Sequence, residues 1–127
     1  MPRQAISSPK APAAIGPYSQ AIEIDGFLFC SGQLGMDPTT GQLVEGIDDQ
    51  AERALMNLMG VLEAAGMTAA DIVKTNIFLV DLAHFATVNA IYSRYVADPA
   101  PARSTVQVAA LPRSALIEIE AVARRSS

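Results

Sequence analysis

The chain has one cysteine and one histidine among its 127 residues, and these low counts exclude two classes of site, an internal disulfide and a zinc site. The single thiol, Cys30, cannot close a disulfide within the chain, which is typical of a protein from a reducing compartment. One cysteine and one histidine cannot form a zinc site. Gly32, Gly35 and Gly41 lack the strand, loop and helix context of a phosphate-binding loop. We therefore expect an activity that uses neither a metal nor a cofactor.

The charge balance and the short apolar runs exclude further classes. A net charge of −4 and a pI near 4.8 provide no large basic surface for nucleic acid. No apolar run approaches the ~18–20 residues that cross a bilayer. Residues 1–9 also lack the apolar core of a secretory signal. The sequence thus predicts a soluble cytoplasmic protein, and its length predicts a single domain over residues 1–127.

Hydrophobic periodicity predicts an alternation of strands and helices. Asp25-Gly26 between two apolar runs is a strong hairpin signal, and Gly66 is a suitable end for the first helix. In chain order the pattern predicts a proline-rich extended arm up to residue 17, a hairpin of strands 22–24 and 27–31, a helix over 47–65, a strand over 72–80, a helix over 82–96, and a second hairpin of strands 104–109 and 115–122.

These elements predict an α+β fold in which a mixed sheet carries two helices on one face. The strands are apolar on both faces, as Phe27 and Phe29 on one side and Leu28 and Cys30 on the other indicate. Half of all residues are hydrophobic and only 17% are charged. The face without helices therefore needs a cover from outside the chain, and we expect a homo-oligomer.

Two residue types near the C-terminus are candidates for chemistry: an arginine suited to a substrate carboxylate, and a pair of glutamates suited to orienting water and moving a proton. Arg103 follows a stiff Pro101-Ala102 step, and a guanidinium can present two parallel donors to a carboxylate. An ordinary surface arginine or a structural salt bridge is an equally weighted alternative. Glu118 and Glu120 share one face of the last strand, where a hairpin would bring one of them towards Arg103. A solvated strand face is the alternative for these carboxylates.

Other polar residues are weaker candidates for a functional site when each is considered alone. Tyr18, Ser31 and Asn89 could each satisfy a local backbone group instead of a ligand. Cys30 is expected to be a packed core thiol, and His84 a residue at a helix start, since no motif pairs them as nucleophile and base.

Four spaced segments resemble the RidA (YjgF/L-PSP) family, in the right order and across nearly the whole chain. They are AIGPYSQA at 14–21, SGQ at 31–33, PARS at 101–104 and IEIEA at 117–121. The combination of Arg103 with Glu118 is similar to the branch of that family with imine and enamine deaminase activity.

This resemblance implies a homotrimer with a chorismate-mutase-like fold, in which the sheets form an inner barrel and clefts lie between subunits. It implies hydrolysis of 2-iminopropanoate and 2-iminobutanoate to pyruvate or 2-oxobutanoate and ammonia. These imines are by-products of dehydratases that use pyridoxal phosphate. A binding module for 2-oxo acids without turnover is the alternative, and an endoribonuclease is less favoured. The preferred imino acid stays open.

The resemblance also implies a role for each candidate residue. Arg103 clamps the substrate carboxylate with help from the backbone N–H of Thr105, and Glu118 holds the attacking water. Three residues, Tyr18, Ser31 and Asn89, line the cleft. Several members of the family have cysteine where this chain has Thr105, and we expect that difference to affect substrate preference rather than activity.

Overall fold

Six strands and two α-helices make up the computed structural model, which describes residues 2–126. Three single-turn 3-10 helices, Ala69–Asp71, Leu82–His84 and Pro112–Ser114, connect them. The strands are β1 (Gln4–Ile6), β2 (Ala21–Ile24), β3 (Phe27–Leu34), β4 (Ile72–Leu79), β5 (Ala102–Gln107) and β6 (Ile117–Arg124), and the α-helices are α1 (Gly46–Ala64) and α2 (Phe85–Tyr92).

The first hairpin and the first helix confirm predictions made from local sequence. Asp25 and Gly26 both have positive φ, at 52° and 83°, which is the geometry of a two-residue turn between twisted strands. Helix α1 ends next to Gly66, whose φ of 73° lets the chain leave the helix in a left-handed conformation.

The order of strands in the sheet is β1-β2-β3-β6-β4-β5, which contradicts the predicted second hairpin. Strand β6 is antiparallel to both β3 and β4 and lies between them. Strand β5 is parallel to β4 at the edge of the sheet, because α2 carries the chain back to the end where β4 began. The central position in the sheet buries the apolar face of β6. Its alternate residues are almost completely buried: Ile117, Ile119, Ala121 and Ala123.

The N-terminal arm differs from its prediction in one part. Gln4–Ile6 pairs with β2 as an edge strand, since this stretch lies between Pro2 and Pro9 and contains no proline itself. The remainder is irregular as predicted, and the buried side chain of Gln20 holds it. This amide accepts from Ser8 N at 2.6 Å and donates to Pro12 O at 2.7 Å.

The second helix is shorter than the predicted 82–96. A 3-10 turn capped by the Asp81 side chain precedes it, and α2 itself spans only Phe85–Tyr92. At its end the Ser93 hydroxyl donates to Ala90 O at 2.8 Å, and such local side-chain bonds compete with continuation of a helix.

Both helices pack on one face of the sheet, as predicted. Leu55, Leu58 and Leu62 of α1 belong to the same buried cluster as Ile77 of β4 and Ile119 of β6. The opposite face is open and partly apolar, with Phe29 exposed by 48% and Val106 by 45%. No helix within residues 2–126 is long and apolar enough to cross a membrane.

Candidate functional site

A cavity of about 640 Å³ opens where the N-terminal arm, the end of β3 and the start of β6 meet. Three of the predicted site residues, Tyr18, Ser31 and Glu118, line its wall. The other three predicted residues lie elsewhere on β5 and α2. The structure therefore divides the candidate site into a cavity group and an edge group.

Glu118 lies against Gly32 in the cavity wall. Strand β3 has a bulge between Cys30 and Gln33, which contains Gly32. A methyl group on Gly32 would lie 2.6 Å from the carboxyl carbon of Glu118, so the absence of a side chain makes room for the carboxylate. Burial raises the pKa of Glu118, and the nearby charge of Glu120 raises it further. A carboxyl group in such surroundings is suited to holding water and moving a proton.

Ser31 and Tyr18 form the neighbouring part of the wall. The Ser31 hydroxyl donates to Ser19 O at 2.5 Å, which ties β3 to the arm. Tyr18 is exposed by 54%, and its hydroxyl is 3.5 Å from Ile15 N, a long hydrogen bond. The Tyr18 hydroxyl therefore remains accessible to a ligand.

The edge group is built around Arg103 on β5. Its guanidinium carbon lies 5.0 Å from the ring centre of Tyr92 and 5.6 Å from that of Phe85, so two aromatic rings of α2 hold the cation. Within residues 2–126 Arg103 forms no ion pair, which argues against the structural salt bridge. Its hydrogen-bond donors remain available for an anion.

Asn89 and Thr105 lie close to this arginine in the fold. Asn89 is four residues after Phe85 and three before Tyr92, so it shares their side of α2. Thr105 is two residues after Arg103 and lies on the same face of β5. Its hydroxyl oxygen is buried and has no hydrogen-bond partner in the part of the chain described. The three residues form one group at the edge of the sheet.

The two groups belong to opposite faces of the sheet. Arg103 of β5 lies opposite Thr75 of β4, which in turn lies opposite Ala121 of β6. Thr75 and Ala121 are buried beneath the helices, so Arg103 belongs to the face that the helices cover. Glu118 is three residues from Ala121 on the same strand and therefore points to the open face. The prediction that a hairpin brings Glu118 or Glu120 to Arg103 is wrong within one chain, because β4 separates β5 from β6.

Two residues considered as possible catalysts have other roles. Cys30 is buried in the core, and burial raises the pKa of its thiol to about 12, so it is a poor nucleophile. His84 ends the 3-10 turn that precedes α2, which confirms its position at a helix start. Among residues 2–126 no group of three or more His, Cys, Asp or Glu side chains is arranged to hold a metal ion.

A comparison with protein families identifies the chain. The family profile described as Endoribonuclease L-PSP matches residues 8–125. The chain belongs to the Endoribonuclease L-PSP family. This match confirms the resemblance to the RidA (YjgF/L-PSP) family that four segments of the sequence indicated.

Relatives in the Endoribonuclease L-PSP family carry the names of deaminases. The Mus musculus protein named 2-iminobutanoate/2-iminopropanoate deaminase is 52% identical over 122 residues, which cover 95% of this chain and 90% of the relative. The Arabidopsis thaliana protein named Reactive Intermediate Deaminase A, chloroplastic, is also 52% identical, over 95% of this chain. This chain spans only 65% of the length of the Arabidopsis protein.

Solved structures in the family share the fold. The crystal structure described as E. coli TdcF with bound serine is 40% identical and has a TM-score of 0.92, covering 97% of this chain and 99% of that chain. This similarity confirms the predicted α+β class with a mixed sheet.

Two residues of the cavity wall were missed in the sequence. Gly32 appears only as one residue of the SGQ segment, although a glycine inside a strand pattern often marks a bulge or a close approach. Arg113 lies in what the sequence indicates as a plain turn, yet it lines the cavity with Glu118. No sequence signal assigns Arg113 to the site, because it arrives there through the path of the 112–114 turn.

Proposed function

We propose that the chain hydrolyses small 2-imino acids, including 2-iminopropanoate and 2-iminobutanoate, to 2-oxo acids and ammonia. The observation that carries the proposal is the half-buried carboxyl of Glu118, with its raised pKa, against Gly32 in an open cavity. Relatives that are 52% identical carry the matching names. The activity clears by-products of dehydratases that use pyridoxal phosphate.

The reaction needs no covalent nucleophile, because the carbon of a protonated imine is already electrophilic. Ionised Glu118 takes a proton from water as the water oxygen bonds to that carbon, which gives a carbinolamine. The nitrogen then receives this proton and leaves as ammonia. As the carbonyl of the 2-oxo acid forms, the hydroxyl proton passes to Glu118 and from there to solvent.

The remaining site residues bind and position the substrate. In this proposal the two parallel N–H donors of Arg103 hold the substrate carboxylate, with help from the backbone N–H of Thr105. Tyr18, Ser31 and Asn89 line the same cleft. Orientation of the imine against the water accounts for a large part of the rate enhancement.

The proposed site is shared between two copies of a homotrimer. Arg103 and Glu118 belong to opposite faces of one sheet, so a complete site needs Arg103 of one copy beside Glu118 of another. The open face supports self-association, since Phe27, Phe29 and Val106 are each more than a third exposed there. In this assembly the open faces meet as an inner barrel and the cavities become clefts between subunits.

A coupled assay tests the proposed function. Threonine dehydratase releases 2-iminobutanoate, and a catalytic amount of the chain is expected to speed the appearance of 2-oxobutanoate. Equal rates with and without the chain would contradict the activity and favour a module that binds 2-oxo acids without turnover. Native mass spectrometry is expected to give three copies of the 13.4 kDa chain, about 40 kDa.

The charge of Glu120 is expected to set the acidic limit of the activity. Glu118 must be ionised to accept a proton, and the Glu120 charge raises its pKa. The Glu120→Gln substitution removes that charge but keeps an oxygen for Asn76, which donates to Glu120 at 3.1 Å. The acidic limb of the pH profile of kcat/KM should therefore move to lower pH.

Glu45→Gln is the matched control for this shift. It removes the same charge at the exposed start of α1, outside the cavity wall. We expect its acidic limb to coincide with that of the wild type. An unmoved limb in Glu120→Gln would show that Glu118 is not the group that titrates.

Two further proposals concern location and nucleic acid. The single cysteine and the charge balance favour the cytoplasm, although the Arabidopsis relative is named as chloroplastic. Endoribonuclease activity stays less favoured in spite of the family description, because a net charge of −4 opposes RNA binding.

A further inference from the structure

Tyr92 of α2 contacts both Arg103 of β5 and Thr75 of β4. The guanidinium carbon of Arg103 is 5.0 Å from the centre of the Tyr92 ring, and the Tyr92 hydroxyl forms a 2.6 Å hydrogen bond with the Thr75 hydroxyl. Thr75 is also the residue of β4 that lies opposite Arg103 in the sheet. The three side chains therefore form one connected unit across two strands and the helix that covers them.

Burial fixes the position of the Tyr92 ring in this unit. Thr75 is 1% exposed and Tyr92 is 5% exposed, so each hydroxyl depends on the other for a hydrogen bond. A movement of the ring that broke this bond would leave two buried polar groups unpaired, which is costly. A ring that is so deeply buried is placed to act on Arg103 rather than to contact a ligand itself.

An aromatic ring restrains a cation in a different way from a carboxylate. A free arginine side chain loses much rotamer freedom when it binds a ligand. An acidic partner would order it beforehand but would occupy the N–H donors that a substrate carboxylate needs, whereas a ring attracts the charge and leaves those donors free. Over residues 2–126 Arg103 has no acidic partner, and its cation–π contacts are with Tyr92 and Phe85.

We propose that Tyr92 is a positioning residue, which holds the Arg103 guanidinium in place for the substrate carboxylate and is itself fixed by the Thr75 hydroxyl. The inference rests on the proposed function, in which Arg103 binds that carboxylate. Ordering the guanidinium in advance removes part of the entropy cost of binding. The Phe85 ring adds a second contact at 5.6 Å, but it is 40% exposed and has no hydroxyl to anchor it.

NMR of the arginine side chains tests this inference independently of turnover. In the full chain labelled with ¹⁵N-arginine, the Nε–Hε signal of Arg103 is identified by its loss in Arg103→Lys. We expect an ordered guanidinium in the wild type and a mobile one in Tyr92→Leu, measured as a lower heteronuclear NOE of that signal. A Tyr92→Leu variant that is less stable but has an unchanged NOE would overturn the inference, since Tyr92 would then serve only the packing of the core.

Calorimetric titration with 2-oxobutanoate measures the consequence for binding. Tyr92→Leu should raise the Kd by about 10-fold, which lies within the range of a partly desolvated cation–π contact. Tyr95→Leu is the matched control, because Tyr95 also packs against the core but has no cation–π contact with Arg103. Its Kd should stay within about 2-fold of the wild type. An equal Kd for Tyr92→Leu and the wild type would contradict the proposed role.

Two conservative substitutions test the anchoring hydrogen bond and decide the inference even if Tyr92→Leu does not fold. Thr75→Val leaves the Tyr92 hydroxyl without its partner, so the ring shifts and the Kd should rise by about 3-fold. Adding Tyr92→Phe removes the second hydroxyl, keeps the ring and leaves no member of the pair unsatisfied, so the double variant should recover the wild-type Kd. A Thr75→Val variant that binds like the wild type, or a double variant no better than Thr75→Val, would overturn the role of this bond.

The outcome for Tyr92 can be separated from the outcome for the proposed function. Binding of 2-oxobutanoate that depends on Tyr92, without any imine hydrolysis, would support the inference and overturn only the turnover. Imine hydrolysis by the wild type, together with an ordered Arg103 and an unchanged Kd in Tyr92→Leu, would overturn only the inference.

Discussion

Mixed oligomers of two inactive variants are expected to recover about one quarter of the wild-type activity. Arg103→Ala removes the carboxylate clamp and Glu118→Gln removes the base, so each alone should lower kcat/KM by at least about 100-fold. In a site shared between copies, an interface formed by the intact Arg103 of one variant and the intact Glu118 of the other is complete. When equal amounts of the two variants assort at random, half of the copies have an intact Arg103 and half have an intact Glu118. A complete interface therefore forms at about one quarter of the positions.

The measurement compares the mixture with each variant taken through the same dissociation and reassociation alone. Circular dichroism and native mass must first show that both variants fold and assemble. Glu118→Gln should be at least as stable as the wild type near neutral pH. Its folded-state pKa is raised, so the ionised carboxylate lowers the free energy of unfolding as pH rises through that pKa. Activity of the mixture no higher than the mean of its parts would mean that the site is not shared.

Gly32→Ala is expected to lower kcat/KM by about 100-fold while the fold persists. The added methyl group would lie 2.6 Å from the Glu118 carboxyl carbon and 2.8 Å from its Cγ, so the carboxylate must move away from its water. The backbone of Gly32 is not in the left-handed region, so alanine adds no conformational strain there. The loss should therefore appear in activity more than in stability.

Gly60→Ala is the matched control. Its added methyl group also meets a neighbour at 2.8 Å, the Cβ of Lys10, but this contact lies between α1 and the arm and outside the cavity wall. We expect a lower melting temperature and an unchanged kcat/KM for the folded protein. A folded Gly32→Ala variant with wild-type kcat/KM would remove Glu118 from its proposed role.

Local features of the fold were predictable because neighbouring residues determine them. The turn at Asp25-Gly26 follows from two residues that tolerate positive φ. The Thr68 and Asp71 capping box follows from spacing, and the structure contains both of its hydrogen bonds. Arg103 and Glu118 could be selected as candidates, but their arrangement in space could not be.

Strand β4 illustrates where local reasoning ends. Alternation places Val73 on the face of Thr75, Ile77 and Leu79, yet Val73 is 47% exposed. A bulge between Ile72 and Lys74 shifts the register against β6, so Ile72 takes the buried position instead. The bulge depends on pairing with a strand about fifty residues later, which local periodicity does not contain.

The sequence by itself determined the element types other than the edge strand at Gln4–Ile6, the hairpin turn, the absence of a metal-binding motif, and the residues that define the family. Only the tertiary structure decided that β6 lies between β3 and β4, which separates Arg103 from Glu118 and brings Arg113 beside the cavity. The physical reason is that turns and caps are stabilised by contacts between near neighbours. The position of a strand in a sheet depends on which distant apolar residues it buries, and here the fully buried Ile117 and Ile119 occupy the centre.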